Sequence, residues 1–124
     1  MYKKIIAFDL DDVICKRDTD EASVEKYKQC KPINNMIHIV NECYDHGYEI
    51  IIYTARGMKI FDGNKEKIYN ELYDITYNHL IEWGIKFHKL IMGKINYDIL
   101  IDDKAVNSLL INSANDIIDF IEKK

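Results

Sequence analysis

The chain has 124 residues, 48% hydrophobic and 31% charged, the mixture of a globular protein with its own core and not of a disordered or membrane chain. Its formal charge of -4 excludes a broad basic footprint for nucleic acid, since the lysines between Lys16 and Lys31 alternate with Asp18, Asp20, Glu21 and Glu25. No apolar run approaches the ~20 residues that a membrane span needs.

IIAFDLDDVIC, Ile5 to Cys15, opens as a β-branched apolar run and breaks into three acids, Asp9, Asp11 and Asp12. It reads as a buried strand that delivers carboxylates to its own C-terminal end. A polar stretch follows, with a flap or loop expected over about residues 14–31, too short to be a second domain. Pro32, the sole proline, suits the first turn of a helix in which Ile33, Met36, Ile37 and Val40 recur at helical spacing. Gly47 should end it.

EIIIYTAR, Glu49 to Arg56, is a continuous β-branched run of the kind found in parallel strands covered on both faces, with its strand ending at Thr54. GMKIFDGN reads as a loop. From about Lys65, the positions Ile68, Leu72, Ile75, Leu80 and Trp83 trace a long helix stopped by Gly84. KFHKLIMG is a third strand, YDILIDD, Tyr97 to Asp103, a fourth, and residues 115–124 a last helix with Ser113 as its cap. Alternating strands and helices predict one domain over residues 1–124, an open, mostly parallel α/β sheet with helices on both faces and its chemistry at the carboxyl ends of the strands.

Four polar groups then fall at four strand ends: Asp9 with Asp11, Thr54, Lys94, and Asp102 with Asp103. Carboxylates brought together repel unless a cation compensates them, and Mg2+ does so while keeping positions for water and phosphate oxygens. An Asp with one free oxygen is a nucleophile for phosphorus, Asp11 a proton donor and acceptor, and Thr54 and Lys94 ligands for the phosphoryl oxygens.

DLDDV, the Thr of IIIYTAR, the Lys of MGK and the paired acids of ILIDD together resemble the four ordered motifs of the haloacid dehalogenase superfamily of phosphatases, across Ile5 to Ala105. TARGMKIFDGN followed by IDDKA is similar, more narrowly, to small capless members assigned to capsule or surface-polysaccharide biosynthesis. The resemblance implies a three-layer α/β/α Rossmann-like fold without a cap domain. It implies a Mg2+-dependent phosphatase acting on a small phosphorylated metabolite through an aspartyl phosphate. Asp9 would be the nucleophile, Asp11 the acid and base, and Thr54, Ala55 and Lys94 the phosphate binders. Asp9, Asp11 through its backbone carbonyl, and Asp102 would hold the metal, with Asp103 behind them, and Arg56 would grip a second anionic group of the substrate or else cap the following loop.

Only seven residues separate Lys94 from Asp102, fewer than the dozen or so that a crossover between parallel strands takes, so the segment has to cross extended. Lys104 and Lys89 are the alternatives to Lys94. Other functions consistent with the pattern are a 5'-nucleotidase of the same superfamily, a receiver-like signalling domain and an inactive binding domain. With so little chain outside the sheet, the flap or a neighbouring subunit of a homo-oligomer is expected to cover the site. Cys15, Cys30 and Cys43, odd in number and without C-x-x-C spacing, favour neither a disulfide framework nor zinc, and point to a reduced, cytoplasmic protein. The N-terminus lacks the pattern of a signal peptide, and neither a nucleic-acid nor a membrane partner is expected.

Overall fold

The computed structural model describes residues 3–17 and 25–122. Strand β1 (Ile5–Phe8) is followed by a two-residue strand β2 (Cys15–Lys16), a short helix α1 (Glu25–Lys28), a two-residue strand β3 (Lys31–Pro32) and helix α2 (Asn34–Asp45). Strand β4 (Glu49–Thr54), helix α3 (Lys65–Glu82), strand β5 (Lys89–Met92), a 3-10 turn (Ser108–Leu110) and helix α4 (Ala114–Glu122) complete the chain. The architecture is mixed α/β, built on a parallel three-stranded sheet in the order β1-β4-β5.

Register explains how the sheet is buried. Ile6 pairs with Ile50 and Phe8 with Ile52, while Ile52 pairs with Leu90 and Thr54 with Met92, so these seven side chains share one face. All seven are buried. The strand order advances in one direction, so crossovers of the usual right hand bring α2 and α3 to that same face, where α2 packs on β4 and α3 on β5. The other face carries Ile5, Ala7, Tyr53 and Ile91, all exposed, with Ile51 half-buried. The β-branched run of β4 predicted cover on both faces; among the described residues only one face has it.

Each main helix has a local cause. In α2, Met36, Ile37, Val40 and Cys43 form a buried stripe, and Gly47, at φ +97, ends the helix with its N–H bonded to the Tyr44 carbonyl at 3.0 Å. In α3, the Asn64 side chain accepts from the Lys67 N–H at 3.1 Å, and Ile68, Leu72, Thr76 and Leu80 recur every four residues on the buried side. Ser113 and Asp116 cap α4 reciprocally: the Asp116 N–H donates to Ser113 Oγ at 3.4 Å and the Ser113 N–H to Asp116 Oδ2 at 3.2 Å. Helix α4 packs on α2.

Two expected elements are corrected. Pro32 is not in a helical turn; it pairs with Cys15 in the small antiparallel ribbon β2-β3, where its missing N–H is tolerated, and α2 begins at Asn34. Tyr97 to Asp103 is not a strand. It runs exposed beyond β5, with Ile99 75% and Ile101 85% accessible, and pairs with no strand among the described residues. Of the flap expected over 14–31, residues 18–24 lie outside the described residues. Among the described residues, no helix is long and apolar enough to cross a membrane.

Candidate active site

The site begins where β1 runs out. The Leu10 carbonyl accepts from the N–H groups of Val13, Ile14 and Cys15 at 3.2, 2.8 and 3.2 Å, folding residues 10–15 into a tight loop with Asp12 in the left-handed region at φ 68. This loop presents Asp9 and Asp11 on the rim of a cavity of about 370 Å³, in the range that suits a small metabolite. Thr54, Ala55 and Arg56 join the lining from the end of β4, and Lys94 from beyond β5. Helix α1 contributes Lys26 and Tyr27 from the flap region, so the described part of the flap does border the cavity.

The contacts give each residue a distinct position. Asp9 Oδ1 accepts from the Leu10 N–H at 2.8 Å, and its Oδ2 lies 3.4 Å from Lys94 Nζ. Partial burial works against the Lys94 charge, but Asp9, with Tyr97 alongside, more than offsets this and holds the ammonium above its ordinary value. The Lys94 N–H also donates to the Thr54 carbonyl at 3.1 Å, tying the lysine to the end of β4. Thr54 Oγ1 accepts from the Arg56 N–H at 3.1 Å, which leaves the hydroxyl proton available to donate elsewhere.

Arg56 does not stand ready for a substrate. Its side chain is fully buried, with Nε 3.2 and 3.0 Å from the two Asp11 oxygens and Nη2 3.1 Å from Oδ1. Nη1 donates to Thr76 Oγ1 at 3.2 Å and lies 3.4 Å from His79 Nδ1, while the guanidinium rests over the Tyr27 ring. Tyr27 in turn accepts the Gly57 N–H on its hydroxyl at 3.1 Å. The expected grip of Arg56 on a second substrate anion is therefore corrected: the guanidinium is spent on orienting Asp11. Burial, reinforced by Arg56, pushes the His79 imidazole below its ordinary value.

The sequence reading missed Tyr27, Thr76 and the thiols of Cys15 and Cys30. Thr76 carried a signal, a polar residue in phase with Ile68, Leu72 and Leu80. Asp11, Cys15 and Cys30 offer ligand atoms within 4.8 Å of one another. Two soft thiols suit Mg2+ poorly, and Arg56 Nη2, 3.6 Å from Cys15 Sγ, already sets a fixed positive charge there. The hydrogen bond from Cys15 lowers the Cys30 thiol, and the same bond together with burial raises Cys15.

Asp9, Asp11, Thr54, Ala55, Arg56 and Lys94 thus converge, and Asp102 and Asp103 do not. Both acids are exposed and outside the cavity lining, Asp102 held below the usual carboxylate range by the Lys104 N–H, 3.0 Å from its Oδ1. The short spacing between Lys94 and Asp102 resolves in favour of the lysine. Lys89 and Lys104 lie outside the lining as well.

The chain is similar to an MCSG target from Vibrio cholerae. That protein's crystal structure superposes with a TM-score of 0.79 at 28% identity, over 97% of this chain and 98% of that one. No family model matches the chain, and no curated protein does.

Proposed function

We propose that this chain is a Mg2+-dependent phosphomonoesterase of the haloacid dehalogenase type, a single capless domain acting in the cytoplasm on a small phosphorylated metabolite, a sugar phosphate of capsule or surface-polysaccharide assembly. What carries the reading is the meeting of Asp9, Asp11, Thr54 and Lys94, far apart in sequence, on one cavity. Among the described residues the lining carries the basic side chains Arg17, Lys59 and Lys94 beside the buried Arg56, which suits an anionic ligand.

The residues divide the work. A phosphate monoester enters with its oxygens against Lys94 and the Thr54 hydroxyl, which hold the charge that spreads over them. Asp9 attacks phosphorus, the bond to the leaving oxygen breaks, and Asp11 supplies the proton that oxygen needs. In the second half, Asp11 takes a proton from water as the water attacks phosphorus, and the bond to Asp9 breaks, returning the free carboxylate. Arg56 fixes the plane of Asp11, whose side chain keeps 14% of its surface accessible. The Asp9 carboxylate and the Asp11 backbone carbonyl are the oxygen donors that would hold Mg2+, while the Asp11 carboxylate stays with Arg56; the ion would supply charge neutralisation between Asp9 and the substrate phosphate.

Phosphate release from a panel of sugar phosphates and 5'-nucleotides, with and without Mg2+, tests the proposal and separates the sugar-phosphate reading from a nucleotidase. Asp9→Asn should abolish release while leaving the circular dichroism spectrum and melting curve of the wild type. Turnover that persists in Asp9→Asn, or a wild type inert across the panel with Mg2+, would overturn it.

A further inference from the structure

Two features of the chain match one another. Strand β1 is the outer strand of its sheet, pairing only with β4 among the described residues, and its open face shows Ile5 and Ala7 to solvent. The segment YDILIDD has the composition of a buried strand yet runs exposed, with Ile99 75%, Leu100 46% and Ile101 85% accessible, and Val106, Leu109 and Leu110 follow it exposed at 41%, 86% and 69%. An unpaired edge beside an apolar face is a template for strand addition.

The chain cannot satisfy its own edge in the useful direction. Lys94 is bonded to the carboxyl end of β4. For Asp102 to end a parallel strand at that same rim, residue 98 would have to lie ~13 Å back along the sheet, four residues at ~3.3 Å each. It would also have to lie about three strand spacings sideways, past β4 and β1, ~14 Å away, so the total path is ~19 Å. The four residues from Lys94 to Asp98 span at most ~14 Å even fully stretched, before any turn is made. An antiparallel run in the same chain is reachable but would carry Asp102 away from the rim.

We propose that two copies of this chain exchange these segments, each laying its residues 98–103 as a parallel strand on the outer edge of the partner's β1. The interface is isologous, each copy giving the strand it receives. Asp102 then arrives at the carboxyl end of β1 beside Asp9 and Asp11, on the rim where Lys94 also stands. Val106, Leu109 and Leu110 come down over the open face of the receiving sheet. The strand exchange stands on the fold alone; the role of Asp102 at the site rests on the phosphatase reading.

Light scattering on the full chain should give about twice the monomer mass of 14.7 kDa, and Ile99→Asp with Ile101→Asp, both at exposed positions, should return it to a folded monomer by circular dichroism. A second arm uses Asp9→Asn and Asp102→Asn chains, co-expressed with different tags and purified as the heterodimer. One of its two sites then combines an intact Asp9 with the partner's intact Asp102. The heterodimer should release phosphate at about half the wild-type rate and show one bound Mn2+ per dimer by electron paramagnetic resonance, where neither homodimer shows any. A protein that is monomeric at every concentration, or a dimer that survives both isoleucine substitutions, overturns the exchange. A heterodimer without the Mn2+ signal overturns the placement of Asp102 in the partner's site. A wild type that is dimeric and sensitive to the isoleucine changes, yet inert towards every phosphate ester, sinks the phosphatase reading and upholds the exchange.

Discussion

Arg56→Met is the perturbation that most directly tests how the site is built. The substitution keeps an unbranched side chain against Tyr27 and removes the charge facing Asp11. Breaking a buried ion pair by deleting one partner costs ~3–5 kcal/mol. Arg56 is fully buried but Asp11 retains 14% exposure, so water partly compensates the abandoned carboxylate and the lower end, ~3 kcal/mol, is expected. With ~2.1 cal/mol/K of unfolding entropy per residue, a chain of this length loses about 4 °C per kcal/mol, so the melting temperature should fall by ~12 °C. Calorimetry gives that shift, and the cycle completed with Asp11→Asn and the double variant isolates the pair. The double variant should be more stable than the sum of the single losses predicts, by ~2 kcal/mol. Losses that add to within ~0.5 kcal/mol would refute a direct coupling between the two residues.

Lys94→Met should lower kcat/KM about 10²-fold or more, by removing charge stabilisation of the phosphoryl oxygens, while costing under ~1 kcal/mol of stability, because its pair with Asp9 is partly exposed. Steady-state kinetics set beside a melting curve checks the split. Gly57 sits at φ +81, and an added Cβ would stand 2.5 Å from Leu72 Cδ1, so Gly57→Ala combines backbone strain with overpacking. A loss of ~2–4 kcal/mol by urea denaturation is expected. His79 has its folded-state value depressed, so the folded protein binds its proton less readily than the unfolded chain. The resulting stability is intact above about pH 6.5, the ordinary histidine value, and is lost as pH falls through the lower, folded-state value. Melting curves between pH 8 and 5 should show that decline, and His79→Gln should flatten it.

Much of this molecule is written in local pattern. The ends of β1, β4 and β5 are legible because each is an apolar run that stops at a polar residue, and Asp9, Thr54 and Lys94 occupy or closely follow those stops. Arg56 was harder. Whether a basic residue after a strand faces a ligand or the interior depends on partners such as Thr76, twenty residues on in another helix, and on Tyr27, which precedes the strand. Pro32 misled because the ring that opens a helix also suits a ribbon edge. The segment YDILIDD is the instructive case. Its composition is right for a strand, yet composition cannot say where the neighbouring edge is, and within one chain the tether from Lys94 is too short to reach it.

Beside the pair of Asp11 with Arg56 stands a second of the same chemistry, Asp12 with Arg17 at 3.1 Å, joined at the surface where Asp12 is 61% accessible. Mobile ions screen the outer pair within a Debye length of ~8 Å at physiological ionic strength and hardly touch the inner one. Added salt therefore slackens the rim of the cavity while its floor holds. Two adjacent aspartates, identical in chemistry, answer the same solvent differently because Asp11 keeps 14% of its side-chain surface accessible and Asp12 61%.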